Sequence, residues 1–285
     1  MSDNTKSRLM MTLLRIVVYA ILIFLTVLCL FSFYLMIVNA SRSNAQLQAG
    51  FRLLPQEHFW DNLKNAWTDA SINIPRGMLN SLFIAVTSAA LTTYFSALTA
   101  YGVHVYDFKG KKLVFTFIMA IMMIPAQVSA VGFVQMINKL HLTNNYIPLI
   151  IPSIAAPVVF FYMKQYMEST LPLELLEAAR IDGAGEIRIF NTIVLPLMVP
   201  AMAVQAIFSF VSSWNNYFTP ALVLSTDTKK TLPILIAQLR AADFLKFDMG
   251  VVYATIAFSI FPVVVVYLAL SKFIVGGLAA GSVKG

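Results

Sequence analysis

An all-α fold with six membrane-spanning helices is predicted for this chain, on three observations. Of its 285 residues 59% are hydrophobic and only 12% are charged, about half the charged share of a typical soluble domain. Six apolar segments, at 16–38, 79–103, 113–137, 146–163, 193–214 and 249–270, are each close to the roughly 20 residues that a helix needs to cross a hydrocarbon core. No Lys, Arg, Asp or Glu falls inside any of them, as expected where a charge at mid-membrane is costly. The whole chain, 1–285, reads as one membrane domain, with its main charged interruption at 164–192.

The first segment follows a basic tail, Lys6, Arg8 and Arg15 against Asp3, and its apolar core runs for 23 residues. A cleaved signal has a core of about 7–15, so this segment is read as a permanent span. The loop 39–78 carries Phe59, Trp60, Leu63 and Trp67 at near-helical spacing, an amphipathic helix lying on the membrane or on a partner. After the second span, Lys109, Lys111 and Lys112 fall within four positions. Basic residues in short loops favour the cytoplasmic side, so six spans place both termini and the 164–192 loop inside. Trp60, Trp67 and Trp214 then fall on the outer side, where interfacial tryptophans belong. The third span contains Pro125 and the fourth, which is short, Pro148, Pro152 and Pro157, so the fourth is expected either to kink or to start deeper in the membrane. A second long outer loop, 215–248, faces the side from which a solute carrier would approach. The net charge of +7 needs no nucleic acid to explain it, because basic residues at membrane surfaces suffice.

The 164–192 loop reads as two short helices. Pro172 suits a first turn and Gly183 a C-terminal stop, giving a helix at about 172–182. On a helical wheel Leu171, Leu175, Ala178 and Ala179 share an apolar stripe. Glu174, Glu177 and Arg180 share a polar one, with Glu177 and Arg180 at i, i+3 spacing. Gly183 and Gly185 allow a reversal, and a helical turn from Glu186 to Asn191 leads to Pro196 and the fifth span. Two helices joined by glycines make a knob able to fit a groove on a soluble partner.

Glu177-Ala178-Ala179, then Gly183, then Ile193, Leu195 and Pro196 fix seven positions across twenty residues. That spacing resembles the signature loop of the membrane subunits of ATP-binding-cassette (ABC) importers. Trp214-Asn215-Asn216-Tyr217, Asn80-Ser81 and the tail Gly276–Gly285 resemble the carbohydrate branch, and within it the second permease subunit of maltose-type transporters. Asn216 departs from the acid that many relatives carry there. The resemblance implies that Glu174, Glu177, Ala178, Ala179, Arg180, Asp182 and Gly183 dock an ATPase and couple it to transport. It implies as partners a homologous permease, an ATPase dimer holding ATP and Mg, and an extracytoplasmic solute-binding protein. The lipid bilayer of a bacterial inner membrane would surround them, and the tail would reach into the ATPase dimer.

No chemistry of the chain's own is expected. The only Gly-Lys pair, Gly110-Lys111, has Val105 in place of the first glycine of a phosphate loop and Lys112 after it, so ATP does not bind by that route. His58, His104 and His141 are scattered, and a single cysteine, Cys29, leaves neither an internal disulfide nor a zinc site in prospect. Within and beside the spans, Gln127, Gln205, Ser209, Ser213 and Asn215 form an uncharged polar set. It suits a neutral polyhydroxylated solute, or hydrogen bonding between helices. The expected function is a half-channel for a sugar or oligosaccharide. The alternatives are glycerol phosphate, an amino acid or a peptide as cargo, or a non-transport scaffold or enzyme subunit.

Overall fold

A computed structural model describes residues 2–69, 73–241 and 248–281. The described residues are mostly helical and contain no strand. The chain divides into two compact units, Met1–Asp69 with Leu239–Phe258, and Ala70–Gln238 with Ser259–Gly285.

The first unit holds α1 (Ser2–Ala40), α2 (Asn44–Gln48) and α3 (Phe59–Thr68). From Met10 to Tyr34 every side chain of α1 is exposed, the signature of a helix whose surroundings are lipid or another subunit. Ser43 caps α2 and forms a capping box with Gln46. The guanidinium of Arg42, buried just after α1, donates to the carbonyls of Gln46 and Gly50. Helix α3 is present where the aromatic spacing placed it. Its buried side chains, however, are Asn62 and Ala66, with Trp60 and Trp67 exposed. Asn62 Nδ2 donates to Ala40 O and Arg42 O, both at 2.9 Å. Gly250 must be a glycine, since a Cβ there would stand 2.3 Å from the carbonyl oxygen of Arg42.

The second unit is built on α4 (Ile74–Val105). Its buried face is mostly small, with Ser81, Ala85, Ser88, Ala89, Thr92 and Ala97 among its residues. Small side chains at three- and four-residue spacing let helix backbones approach closely in a membrane, where apolar burial against lipid gains little. There follow α5 (Lys111–Ile121), α6 (Ala126–Lys139), the single turn α7 (Ile147–Ile150) with a 3-10 turn (Ile151–Ile154), and α8 (Pro157–Thr170). Beyond them lie α9 (Leu173–Ile181), α10 (Glu186–Ile189), α11 (Leu195–Trp214), α12 (Phe218–Val223) and α13 (Leu232–Ala241); α14 (Met249–Ser259) falls in the first unit but for its last residue, and α15 (Phe261–Gly281) in the second. Helix α4 packs against α8 and α11, and α11 also against α15. Asn80 and Ser81 bind α4 to the segment 228–232. Asn80 Nδ2 donates to Thr228 O and Lys230 O at 3.0 and 2.9 Å, and Ser81 Oγ accepts from Leu232 N at 2.8 Å.

Among the described residues five segments are long and apolar enough to cross a membrane: Met10–Ala40, Ile74–Val105, Ile147–Thr170, Glu186–Trp214 and Met249–Ile274. The expected sixth, 113–137, is not one helix but two, α5 and α6, parted at Met122–Pro125. Proline lacks the amide hydrogen that would extend the ladder, and its ring disfavours helical backbone in the residue before it. The same effect parts α7 from α8 ahead of Pro157 and α14 from α15 ahead of Pro262. Of these two breaks, only the first was expected from the sequence. Trp214, expected at the outer interface, is 3% exposed. It stacks on Phe210, and its indole N–H donates to Ser259 O at 3.2 Å. It therefore belongs to the packing of α11, not to the lipid surface.

Candidate functional site

The knob is short because its two ends are fixed by backbone chemistry. Pro172 sits just ahead of α9 in extended conformation. At the other end Gly183 adopts φ +79°, where a side chain is strained. Gly183 N donates to Arg180 O and Ala184 N to Ala179 O, both at 3.0 Å. This pair of bonds is a Schellman closure, which satisfies the last helical carbonyls. Gly185 has an ordinary φ of −73° and precedes α10 as its cap, so the reversal rests on Gly183 alone. From Glu186 the chain stays helical to Trp214, through α10, a π turn (Phe190–Val194) and α11. Pro196, without an amide hydrogen, lies two residues past that turn.

Leu171, Leu176 and Ile189 are buried in the core that anchors the knob, with Ala179 and Ala184 packed against it. Leu175 and Ala178, placed on the apolar stripe by the wheel, face outward. The inward stripe is set by where α8 delivers the chain, which the wheel alone does not know. Ile181 and Ile187 stand 86% and 81% exposed beside the exposed Glu174, Glu177, Arg180 and Asp182. The knob thus presents two large apolar side chains ringed by charge, as a docking element would. Arg180 does not pair with Glu177. Its Nε donates to Glu186 Oε1 at 2.7 Å, and that carboxylate holds the guanidinium above its ordinary pKa. The sequence gives no sign of this pairing, because Glu186 lies in a different helix from Arg180.

Helices α4, α6, α8, α11 and α12 surround a cavity of about 1010 Å³. Gln205, Ser209 and Ser213 line it, Gln205 being 8% exposed. Asn215 does not; it is exposed at the end of α11, where its N–H donates to Val211 O. Its neighbour Asn216 lines the cavity instead, with Oδ1 accepting from Thr219 N at 3.2 Å. Continuing the spacing 205, 209, 212 by one turn would have chosen Asn216. Gln127 lies in the first turn of α6, with its side chain outside the described residues. Ser88, Thr92, Ser129 and Ser153 add to the polar lining, with Ser212 and Thr219, and among the described residues no charged one contributes. Nothing in the sequence set the first four apart from packing residues. Among the described residues no cluster of three or more His, Cys, Asp or Glu could hold a metal ion.

Residues 92–278, which contain both knob and most of the cavity wall, match the family model described as "Binding-protein-dependent transport system inner membrane component". The chain belongs to this family. As a binding-protein-dependent transport component it is a multi-pass inner-membrane protein, and its similarities extend over nearly its full length. It is 33% identical to the arabinooligosaccharides transport system permease protein AraQ of Bacillus subtilis, over 95% of this chain and 96% of the relative. It is 34% identical to the trehalose/maltose transport system permease protein MalG of Thermococcus litoralis, over 92% and 94%. It is 33% identical to the sn-glycerol-3-phosphate transport system permease protein UgpE of Yersinia pestis, over 93% and 96%. Its fold resembles a chain in the crystal structure of a bacterial ABC transporter involved in the import of the acidic polysaccharide alginate. The TM-score is 0.80, at 23% identity, covering 92% of this chain and 96% of that one.

Proposed function

We propose that this chain is the permease subunit of an ABC importer for a sugar or oligosaccharide, forming half of the translocation path. The observation that carries the proposal is the single helical run Glu186–Trp214. It bears the knob at one end and, near the other, Gln205, Ser209 and Ser213 on the cavity wall. Force applied to the knob acts directly on the helix that lines the path. The chain does no chemistry of its own. An ATPase dimer carrying ATP and Mg docks at Glu174, Glu177, Ala178, Ala179, Arg180, Asp182 and Gly183, with Ile181 and Ile187 filling its groove. A homologous permease supplies the other half of the path, and an extracytoplasmic binding protein delivers the solute.

The named cargoes of the relatives divide into sugars and a phosphate ester. The cavity lining favours the former, because hydroxyl and amide groups satisfy a neutral polyol while a phosphate calls for a cation or a helix N-terminus. The test is the triple variant Gln205→Ala, Ser209→Ala, Ser213→Ala in the assembled importer, with uptake of labelled arabino-, malto- and raffinose-type oligosaccharides and of glycerol 3-phosphate. Losing up to three hydrogen bonds at about 1 kcal/mol each should weaken apparent affinity for the transported sugar roughly tenfold or more. The ATPase should still co-purify. Unaltered sugar uptake would move the path elsewhere, and uptake of glycerol 3-phosphate alone would replace the sugar reading.

The proposed orientation puts both termini and the 164–192 loop in the cytoplasm. Single cysteines at Ser7 and Ser169, with Cys29→Ser, should resist an impermeant maleimide in intact cells. A cysteine at Glu57, in the outer loop, should react. Labelling of either of the first two from outside would overturn this topology.

A further inference from the structure

The cytoplasmic end of α4 and the base of the knob meet in a polar cluster with Glu186 at its centre. One carboxylate oxygen accepts from Arg180 Nε at 2.7 Å. The other accepts from the Tyr101 hydroxyl at 2.6 Å and, more weakly, from Arg180 Nη2 at 3.4 Å. The Arg180 guanidinium also lies over the ring of Tyr106, 5.7 Å from its centroid. Tyr101 is itself buried between Tyr106 and Phe190, with ring centroids 6.0 and 5.5 Å away. Two separate segments, the end of α4 and α9, are thus held by charge-assisted bonds to one carboxylate on α10. Such bonds are stronger and more directional than neutral ones.

This cluster bears on how movement leaves the knob. The direct route to α11 passes through the π turn Phe190–Val194, a wide helical turn of the kind often found at functional sites and kinks. Helix α4 lines the same cavity through Ile84, Ser88 and Thr92. We propose that Glu186 is a positioning residue that latches the knob to α4 through Tyr101, so that a displacement of the knob moves both cavity-lining helices instead of α11 alone. The inference rests on the reading of the knob as the ATPase-docking element.

Two measurements test it, both on the full chain with Cys29→Ser and neither needing the natural solute. Spin labels at Thr99→Cys on α4 and Ala178→Cys on α9, in lipid nanodiscs, should give a narrow distance distribution that broadens about twofold in the Tyr101→Phe, Glu186→Gln double variant. Equal widths would overturn the latch. Labels at Ala90→Cys on α4 and Val264→Cys on α15 then report on the complex with partner permease, binding protein and ATPase, trapped with Mg, ATP and vanadate. Trapping should shift this distance, and the double variant should lose most of the shift while retaining co-purified ATPase. A full shift in the variant, or loss of the ATPase with the first distribution still narrow, would overturn the latch, the second outcome making Glu186 a docking residue. No shift even without the latch substitutions would instead sink the docking reading on which the proposal rests.

Discussion

Gly183→Pro should abolish solute-stimulated ATP hydrolysis and transport while the chain still inserts in the membrane. Proline fixes φ near −65° and has no amide hydrogen, whereas Gly183 needs φ +79° and donates to Arg180 O. Both halves of the Schellman closure fail together, and α9 loses its relation to α10. Gly183→Ala separates backbone strain from crowding. A methyl group at this residue would meet no other atom within 4 Å, so alanine costs only the left-handed conformation, about 1–2 kcal/mol. It should leave most of the turnover. Glu177→Lys leaves the knob folded, since Glu177 is exposed, but reverses a charge on the docking face. It should weaken ATPase co-purification, more at low salt than at high. The check is ATPase retention and stimulated turnover in reconstituted membranes. Normal values for both Gly183→Pro and Glu177→Lys would mean that energy is not coupled through this loop.

The knob is legible in the sequence because its determinants are local. A proline before α9, a glycine after it and a fixed spacing to Leu195-Pro196 are all read within the twenty-five residues 172–196. The same holds for the long spans, whose apolar length is a one-dimensional property. What escaped depends on contacts between segments. Arg180 has Glu177 within one turn, yet it binds Glu186, because the turn at Gly183 brings α10 back alongside α9. Leu176 rather than Leu175 faces the core, because α8 fixes the rotation of α9. The divided third span was legible in part: Pro125 was visible, but a proline alone does not say whether a membrane helix kinks or ends. On the cavity wall, Gln205, Ser209 and Ser213 stood out as polar residues on one helix. Ser88, Thr92, Ser129 and Ser153 come from other elements, and small hydroxyl residues are common wherever membrane helices pack.

The burial of Trp214, which its sequence position suggests is an interfacial anchor, leads to a large expected stability effect. An anchor would tolerate truncation. A residue packed at 3% exposure, stacked on Phe210 and donating to Ser259 O, would not. Trp214→Ala empties a large buried volume and should cost about 3–5 kcal/mol, which for a chain of this size lowers the melting temperature by roughly 10 °C. Trp214→Phe keeps much of the ring contact and loses the donor, so it should cost about 1 kcal/mol from the hydrogen bond plus a smaller packing loss. Thermal unfolding of the three proteins in one detergent measures both. The ordering wild type, phenylalanine, alanine follows from a buried stack with a hydrogen bond; equal melting temperatures would return Trp214 to the lipid interface. Transport should follow the same order, because Ser212, Ser213 and Asn216 line the cavity on the turns flanking Trp214. A loosened end of α11 would misplace these groups even though Trp214 itself does not reach the cavity.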